Sequence, residues 1–160
     1  MTERVAVPAA VLHDAVERHL GALTTQRRLA ARSVAAYRDQ LDRLLRHLVE
    51  AGVSEWNGFD GLFLRRVLAR EHRAGLSGRS LAQFLSAVRG LCGSLVREGL
   101  LIEDISRGIR PPKAPRKLPE VLDPDETQQL VEVDTEAPLG VRDRALLELI
   151  YGCGLRVSEV

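Results

Sequence analysis

The sequence is poor in the residues that build disulfide frameworks and metal sites. It has two cysteines, Cys92 and Cys153, far apart and each set among apolar neighbours, which gives no metal-ligand spacing. Its four histidines, His13, His19, His47 and His72, are scattered and share no helical face with a second group of ligands. They read as solvated or satisfied residues on helix surfaces, so no metal and no other cofactor is expected. No apolar run approaches the ~20 residues needed to cross a bilayer. The opening MTERVAVPAAVLHDAVERHL lacks the basic-then-apolar order of a signal peptide. A cytoplasmic protein without a membrane partner is expected. Period-2 strands, internal repeats and low-complexity tracts are also missing.

Net charge is almost absent, at +1 over 160 residues, but the balance conceals an asymmetry. Residues 1–117 hold 20 Lys and Arg against 12 Asp and Glu, whereas residues 118–160 hold 3 against 10. A basic stretch followed by an acidic one suggests that the first part meets a polyanion. Charge alone leaves an arginine-rich helical domain with no such partner equally open.

What is present is helical periodicity. The first helix is expected over about 8–23, with Val11, Leu12, Ala15, Val16, Leu20 and Leu23 at helical spacing. The second covers about 31–51, where Val34, Tyr37, Leu41, Leu44, Leu45 and Leu48 form one stripe ending near Gly52. A third runs over about 60–74, with Asp60 as N-cap and Gly75 as stop. A fourth spans about 78–98. At about 100° per residue, Phe84, Leu85, Val88, Leu91, Cys92 and Leu95 fall in one arc, and Arg79, Gln83, Ser86 and Arg89 in the other. One face packs; the other offers planar hydrogen-bonding groups.

Composition then changes. SRGIRPPKAPRKLP carries four prolines and five basic residues, the mark of a stiff extended linker whose charges suit a phosphate backbone. A fifth helix is expected near Pro124, with Asp123 as cap and Asp125 and Glu126 in its first turn. Residues 140–152, GVRDRALLELIYG, form a sixth, apolar on one side, leading into Gly152-Cys153-Gly154. The organisation is a basic four-helix domain over 1–105, a basic Pro-rich linker over 106–119 and the first helices of a second domain over 120–160.

VRDRALLELIYGCGLRVSEV closely resembles the first catalytic box of the tyrosine site-specific recombinases, the phage integrase family. The Gly-Leu-Arg-x-Ser-Glu pattern of that box falls on Gly154, Leu155, Arg156, Ser158 and Glu159. PPKAPRKLP, DPDETQQLVEVD and PLGVRDRA resemble the XerC-type branch. LAARSVAAYRDQL and GRSLAQFLSAVRGL resemble its core-binding helices, with Ala30 where the family has a capping serine and Ser33 where it has threonine. Asp104-Ile105-Ser106 stands where Asn-Pro is common.

The resemblance implies an all-α covered region. It would comprise a four-helix SAM-like core-binding domain, the linker, and the opening helices of an incomplete mixed α/β catalytic domain. It implies strand cleavage and rejoining through a phosphotyrosine. Arg156 would be the phosphate-binding arginine and Glu159 a carboxylate orienting the site. It places DNA contacts on Arg32, Ser33, Arg79, Ser80, Gln83 and Arg89, with Lys113, Arg116 and Lys117 in the linker. Any one of these could equally be a solvated surface residue; as a set on one face they favour DNA. The implied partners are a double-stranded recombination site, a XerD-like recombinase in a heterotetramer and an FtsK-type translocase. A phage or mobile-element integrase, or a non-catalytic helical DNA-binding module, are the alternatives. Tyr37 and Tyr151 do not match the family nucleophile and read as packing residues. These 160 residues alone are expected not to cleave DNA.

Overall fold

The computed structural model of the protein describes residues 8–112 and 121–160, and the chain divides into two units, Met1–Pro115 and Arg116–Val160. The first unit holds α1 (Pro8–Thr25), α2 (Ala31–Glu50), α3 (Gly61–Arg73) and α4 (Gly78–Arg97), with a 3₁₀ turn at Trp56–Gly58. Among the described residues there is no strand.

The apolar stripes of the sequence become the core. Leu41, Leu44, Leu45 and Leu48 of α2 meet Leu81, Phe84, Leu85, Val88, Leu91 and Leu95 of α4. On either side lie Leu12, Val16 and Leu20 of α1 and Leu64 and Val67 of α3. The α2 helix packs on α1 and α4, and α3 packs on α4. A row of edge-to-face rings, Trp56 to Phe59 at 5.9 Å and Phe59 to Phe63 at 6.0 Å, seals the turn before α3.

The helix ends follow from their caps. Asp60 Oδ1 accepts from the Phe63 N–H at 2.6 Å, and Ser77 Oγ accepts from the Ser80 N–H at 3.1 Å. Ala30, at the start of α2, supplies no side-chain acceptor. Ser106 and Ile109, which composition assigns to the linker, are both buried. The first unit therefore packs past residue 105, because an Asp104 turn folds this segment back onto α3 and α4.

The histidines depart most from expectation. His19 and His47 are buried rather than on the surface, each with a specific partner. His19 Nδ1 lies 2.7 Å from Ser94 Oγ, joining α1 to α4, and Arg97 donates to the same hydroxyl at 2.9 Å.

The second unit contains α5 (Pro124–Val131), α6 (Gly140–Cys153) and a 3₁₀ turn at Val157–Glu159. Asp123 and Glu126 form a reciprocal capping box at α5: Asp123 Oδ1 accepts from the Glu126 N–H at 2.8 Å, and Glu126 Oε2 from the Asp123 N–H at 2.9 Å. The α5 and α6 helices pack together. A side chain at Gly140 would overlap the Asp134 carbonyl oxygen, so the loop crosses the start of α6 where only glycine fits. Among the described residues, no helix is long and apolar enough to cross a membrane.

Candidate nucleic-acid interface and phosphate-binding arginine

The α2 and α4 helices both begin without an acidic residue in the first turn. Instead, α2 carries Arg32 and α4 carries Arg79, each exposed and without an acidic partner among the described residues. A cation at a helix N-terminus opposes the helix dipole, so these arginines do not serve helix stability. Dipole and guanidinium instead add to one positive field facing solvent.

Ser33 and Gln83 line one cleft of about 230 Å³ between α2 and α4, together with Ala36, Tyr37, Gln40, Ser86 and Ala87. The cleft joins hydroxyl and amide groups that can pair with base edges or phosphates to small apolar walls. Gln40 is the residue that sequence reasoning missed. Its Oε1 is buried in this cleft without a hydrogen-bond partner among the described residues. Treating α2 by the same angular plot as α4 would have placed Gln40 beside Ser33 and Tyr37. Ser80 differs from expectation in a smaller way: its Oγ lies 3.0 Å from Ser77 Oγ, within the α4 cap.

Arg89 is turned away from this group. Its Nη2 donates to the backbone carbonyl of Ile109. Lys113, Arg116 and Lys117 lie outside the described residues. Cys92, beneath Arg89 on α4, is a packing residue; burial, with the Asp104 carboxylate adding to it, pushes its thiol up to about 12.

In the second unit, α6 ends where Gly154 takes a left-handed conformation at φ 61°. The Gly154 N–H caps the Ile150 carbonyl, and the Leu155 N–H reaches the same oxygen at 3.1 Å. The chain is thereby reversed and enters Arg156 extended, at φ −78° and ψ 147°. Glu159 Oε2 accepts from the Arg156 N–H at 2.8 Å, and its Oε1 lies 3.3 Å from Arg156 Nη1. One carboxylate thus fixes the backbone of Arg156 and touches the guanidinium at one corner. The arginine side chain remains 82% exposed, with its other donors open to a phosphate. Tyr151 is 68% exposed rather than packed; it borders a cleft between α5 and α6.

Residues 16–99 match the family model of the phage integrase N-terminal SAM-like domain, and residues 120–160 match that of the phage integrase family. The chain is 46% identical over 147 residues to tyrosine recombinase XerC of Xanthomonas campestris pv. campestris, covering 92% of this chain and 46% of that protein. It is 42% identical over 149 residues to tyrosine recombinase XerC of Serratia marcescens, covering 93% and 49% respectively. Against tyrosine recombinase XerC of Pseudomonas syringae pv. tomato, identity is 43% over 150 residues, covering 91% and 50%. The chain spans about half the length of the curated relatives it matches.

Proposed function

Because the chain belongs to the phage integrase family of tyrosine recombinases, we propose that it supplies the DNA-gripping module and the first phosphate-binding arginine of a site-specific recombinase. The observation that carries this is the turn at Gly154. It delivers Arg156 exposed and extended, with Glu159 holding its backbone, inside the segment that matches the family.

The chemistry gives that arginine its role. A tyrosine oxygen attacks the scissile phosphorus, and the bond to the 5′ oxygen breaks. The strand is left as a 3′-phosphotyrosyl ester and a free 5′-hydroxyl. A 5′-hydroxyl of a partner strand reverses the attack, so the phosphate bond energy is kept and no cofactor is consumed. Charge grows on the non-bridging oxygens in the transition state. A planar, permanently charged guanidinium stabilises them by paired hydrogen bonds. Arg156 would take this part, with Glu159 orienting it. Neither Tyr37 nor Tyr151 matches the family nucleophile, so neither is assigned the attacking oxygen.

Binding would use the α2 and α4 face: Arg32 and Arg79 for phosphates, and Ser33, Gln40, Gln83 and Ser86 for the groove. The basic Lys113, Arg116 and Lys117 would continue along the backbone. Similarity to XerC-type relatives favours chromosome dimer resolution on a double-stranded site, with a XerD-like partner in a heterotetramer and an FtsK-type translocase. Phage or mobile-element integration would use the same residues on another target.

The test is fluorescence anisotropy of the chain on a mixed-sequence duplex across a salt series. Each phosphate neutralised contributes about −0.9 to the slope of log K against log salt. A slope of several units is expected. No binding at low salt would sink the reading, and so would a covalent adduct formed by these residues on a nicked suicide substrate.

A further inference from the structure

The chain leaves the four-helix module through a segment held at several points. Asp104 Oδ1 accepts from the Ser106 N–H at 2.9 Å and from Ser106 Oγ at 2.5 Å, which tightens the turn. Ser106 is fully buried, with its hydroxyl against the Cys92 thiol of α4. Gly61, at the start of α3, makes room for the Ile105 carbonyl; a Cβ there would lie 3.1 Å from that oxygen. Ile109 is buried in the core, and its carbonyl oxygen receives Arg89 Nη2.

Arg89 closes this set. It lies on the solvent-facing arc of α4 with Arg79 and Gln83, yet its guanidinium grips a neutral carbonyl rather than an acid. Its charge is therefore retained while its direction is fixed. Arg110 follows at once and is exposed, and then come Pro111 and Pro112. Proline fixes φ, so a direction set at Ile109 is carried through Arg110 into Pro111 and Pro112.

We propose that Arg89 is a positioning residue: by holding the Ile109 carbonyl it sets the direction in which the basic linker leaves the module. Arg110, exposed at the start of that exit, is thereby presented to a phosphate of the duplex held on α2 and α4. The proposal rests on the DNA-binding reading above, but its first arm needs no DNA.

That first arm is amide hydrogen exchange of the free chain, wild type against Arg89→Gln and Arg89→Lys. In Arg89→Gln, exchange over residues 106–110 is expected to rise about tenfold or more, the size of one lost hydrogen bond. Amides in the middle of α2 and α4 should keep their protection. Arg89→Lys, which retains a donor for the carbonyl, should show a smaller rise over the same residues. Unchanged exchange at 106–110 in Arg89→Gln overturns the proposal. So does loss of protection throughout α2 and α4, since a positioning residue leaves the core intact.

The second arm is the salt dependence of binding to a mixed-sequence duplex, comparing Arg89→Gln with Arg79→Gln. A single lost phosphate contact flattens the slope by about 0.9, which is expected for Arg79→Gln. Arg89→Gln should flatten it by about twice that, because its own charge and the Arg110 contact are both lost. A role confined to stability would lower the binding-competent fraction and leave the slope alone. Equal flattening in the two variants makes Arg89 an ordinary phosphate contact and overturns the proposal. If wild type binds no duplex, the DNA reading fails, and the exchange arm still decides whether Arg89 holds the exit segment.

Discussion

His47 Nε2 lies 2.7 Å from Oε1 of Glu71, and the other oxygen of that carboxylate accepts from Arg43, so one buried acid ties α2 to α3. On the far side of the ring, Arg70 Nη1 stands 3.5 Å from His47 Nδ1 and donates to Glu50 at 2.7 Å. A ring protonated on Nε2 satisfies both of its neighbours.

The network makes Glu71 a measurable contributor to stability. Burial by itself raises the Glu71 carboxyl, but the hydrogen bonds from His47 and Arg43 outweigh it and hold it below 4.5. An acid depressed on folding stabilises above its unfolded pKa, and this stabilisation is lost as pH falls through the folded value. Stability should therefore decline as the pH drops below 4.5, and Glu71→Gln should remove that part of the decline. Glu71→Ala should cost about 3 kcal/mol near neutral pH, because it strands Arg43 and His47 without an acceptor. Urea midpoints check both; a cost below about 0.5 kcal/mol would show that the helices are joined by apolar packing alone.

His19 gives a second pH dependence with the opposite chemistry. Burial, with Arg97 and Arg27 nearby, lowers its pKa below 6.5. The folded state holds it neutral, while the unfolded chain takes up a proton as pH falls below 6.5. Stability is therefore expected to fall with pH from about 6.5 downward, levelling only below the folded pKa. In His19→Gln the same interval should be flatter. Parallel curves for the two proteins would remove His19 as the source.

Much of this was legible in the sequence, and the exceptions share a cause. The helices are readable from local signals: α2, α3 and α4 carry a 3.6-residue apolar period, and caps or stops such as Asp60, Asp123 and Gly154 mark the ends of α3, α5 and α6. Arg156 and Glu159 are readable because six consecutive residues hold the whole motif. His19 and His47 were not, since their partners Ser94 and Glu71 lie on other helices and no local pattern announces a cross-helix pair. Arg89 was read on the polar arc of α4, where it is exposed, but its partner is a backbone carbonyl with no sequence signature. Gln40 followed the α2 period but was hidden because only α4 was read for its polar face.

Ala30 offers a gain rather than a loss. It sits at φ −58° and ψ 144°, a conformation that suits an N-cap, yet it has no side chain to accept the orphan N–H groups of α2. Ala30→Ser should raise stability by about 1 kcal/mol. It should also lower exchange in the first turn of α2, where Arg32 and Ser33 sit. No change in the urea midpoint would mean that solvent already satisfies this helix start.

Gly154 should control Arg156 through backbone geometry rather than contact. At φ 61°, a residue with a Cβ is strained, and nothing lies within 4 Å of where that Cβ would be, so sterics with neighbours are not the issue. The strain of the left-handed conformation is about 1 kcal/mol for alanine, smaller for asparagine and larger for a β-branched residue. Both N–H groups that close α6 onto the Ile150 carbonyl depend on this turn. Protection of the Leu155 amide should therefore fall in the order glycine, asparagine, alanine, valine at position 154. The Arg156 amide, held by Glu159, should follow the same order. If it kept its protection while Leu155 lost its own, Glu159 alone would position the arginine, and the glycine would only end the helix.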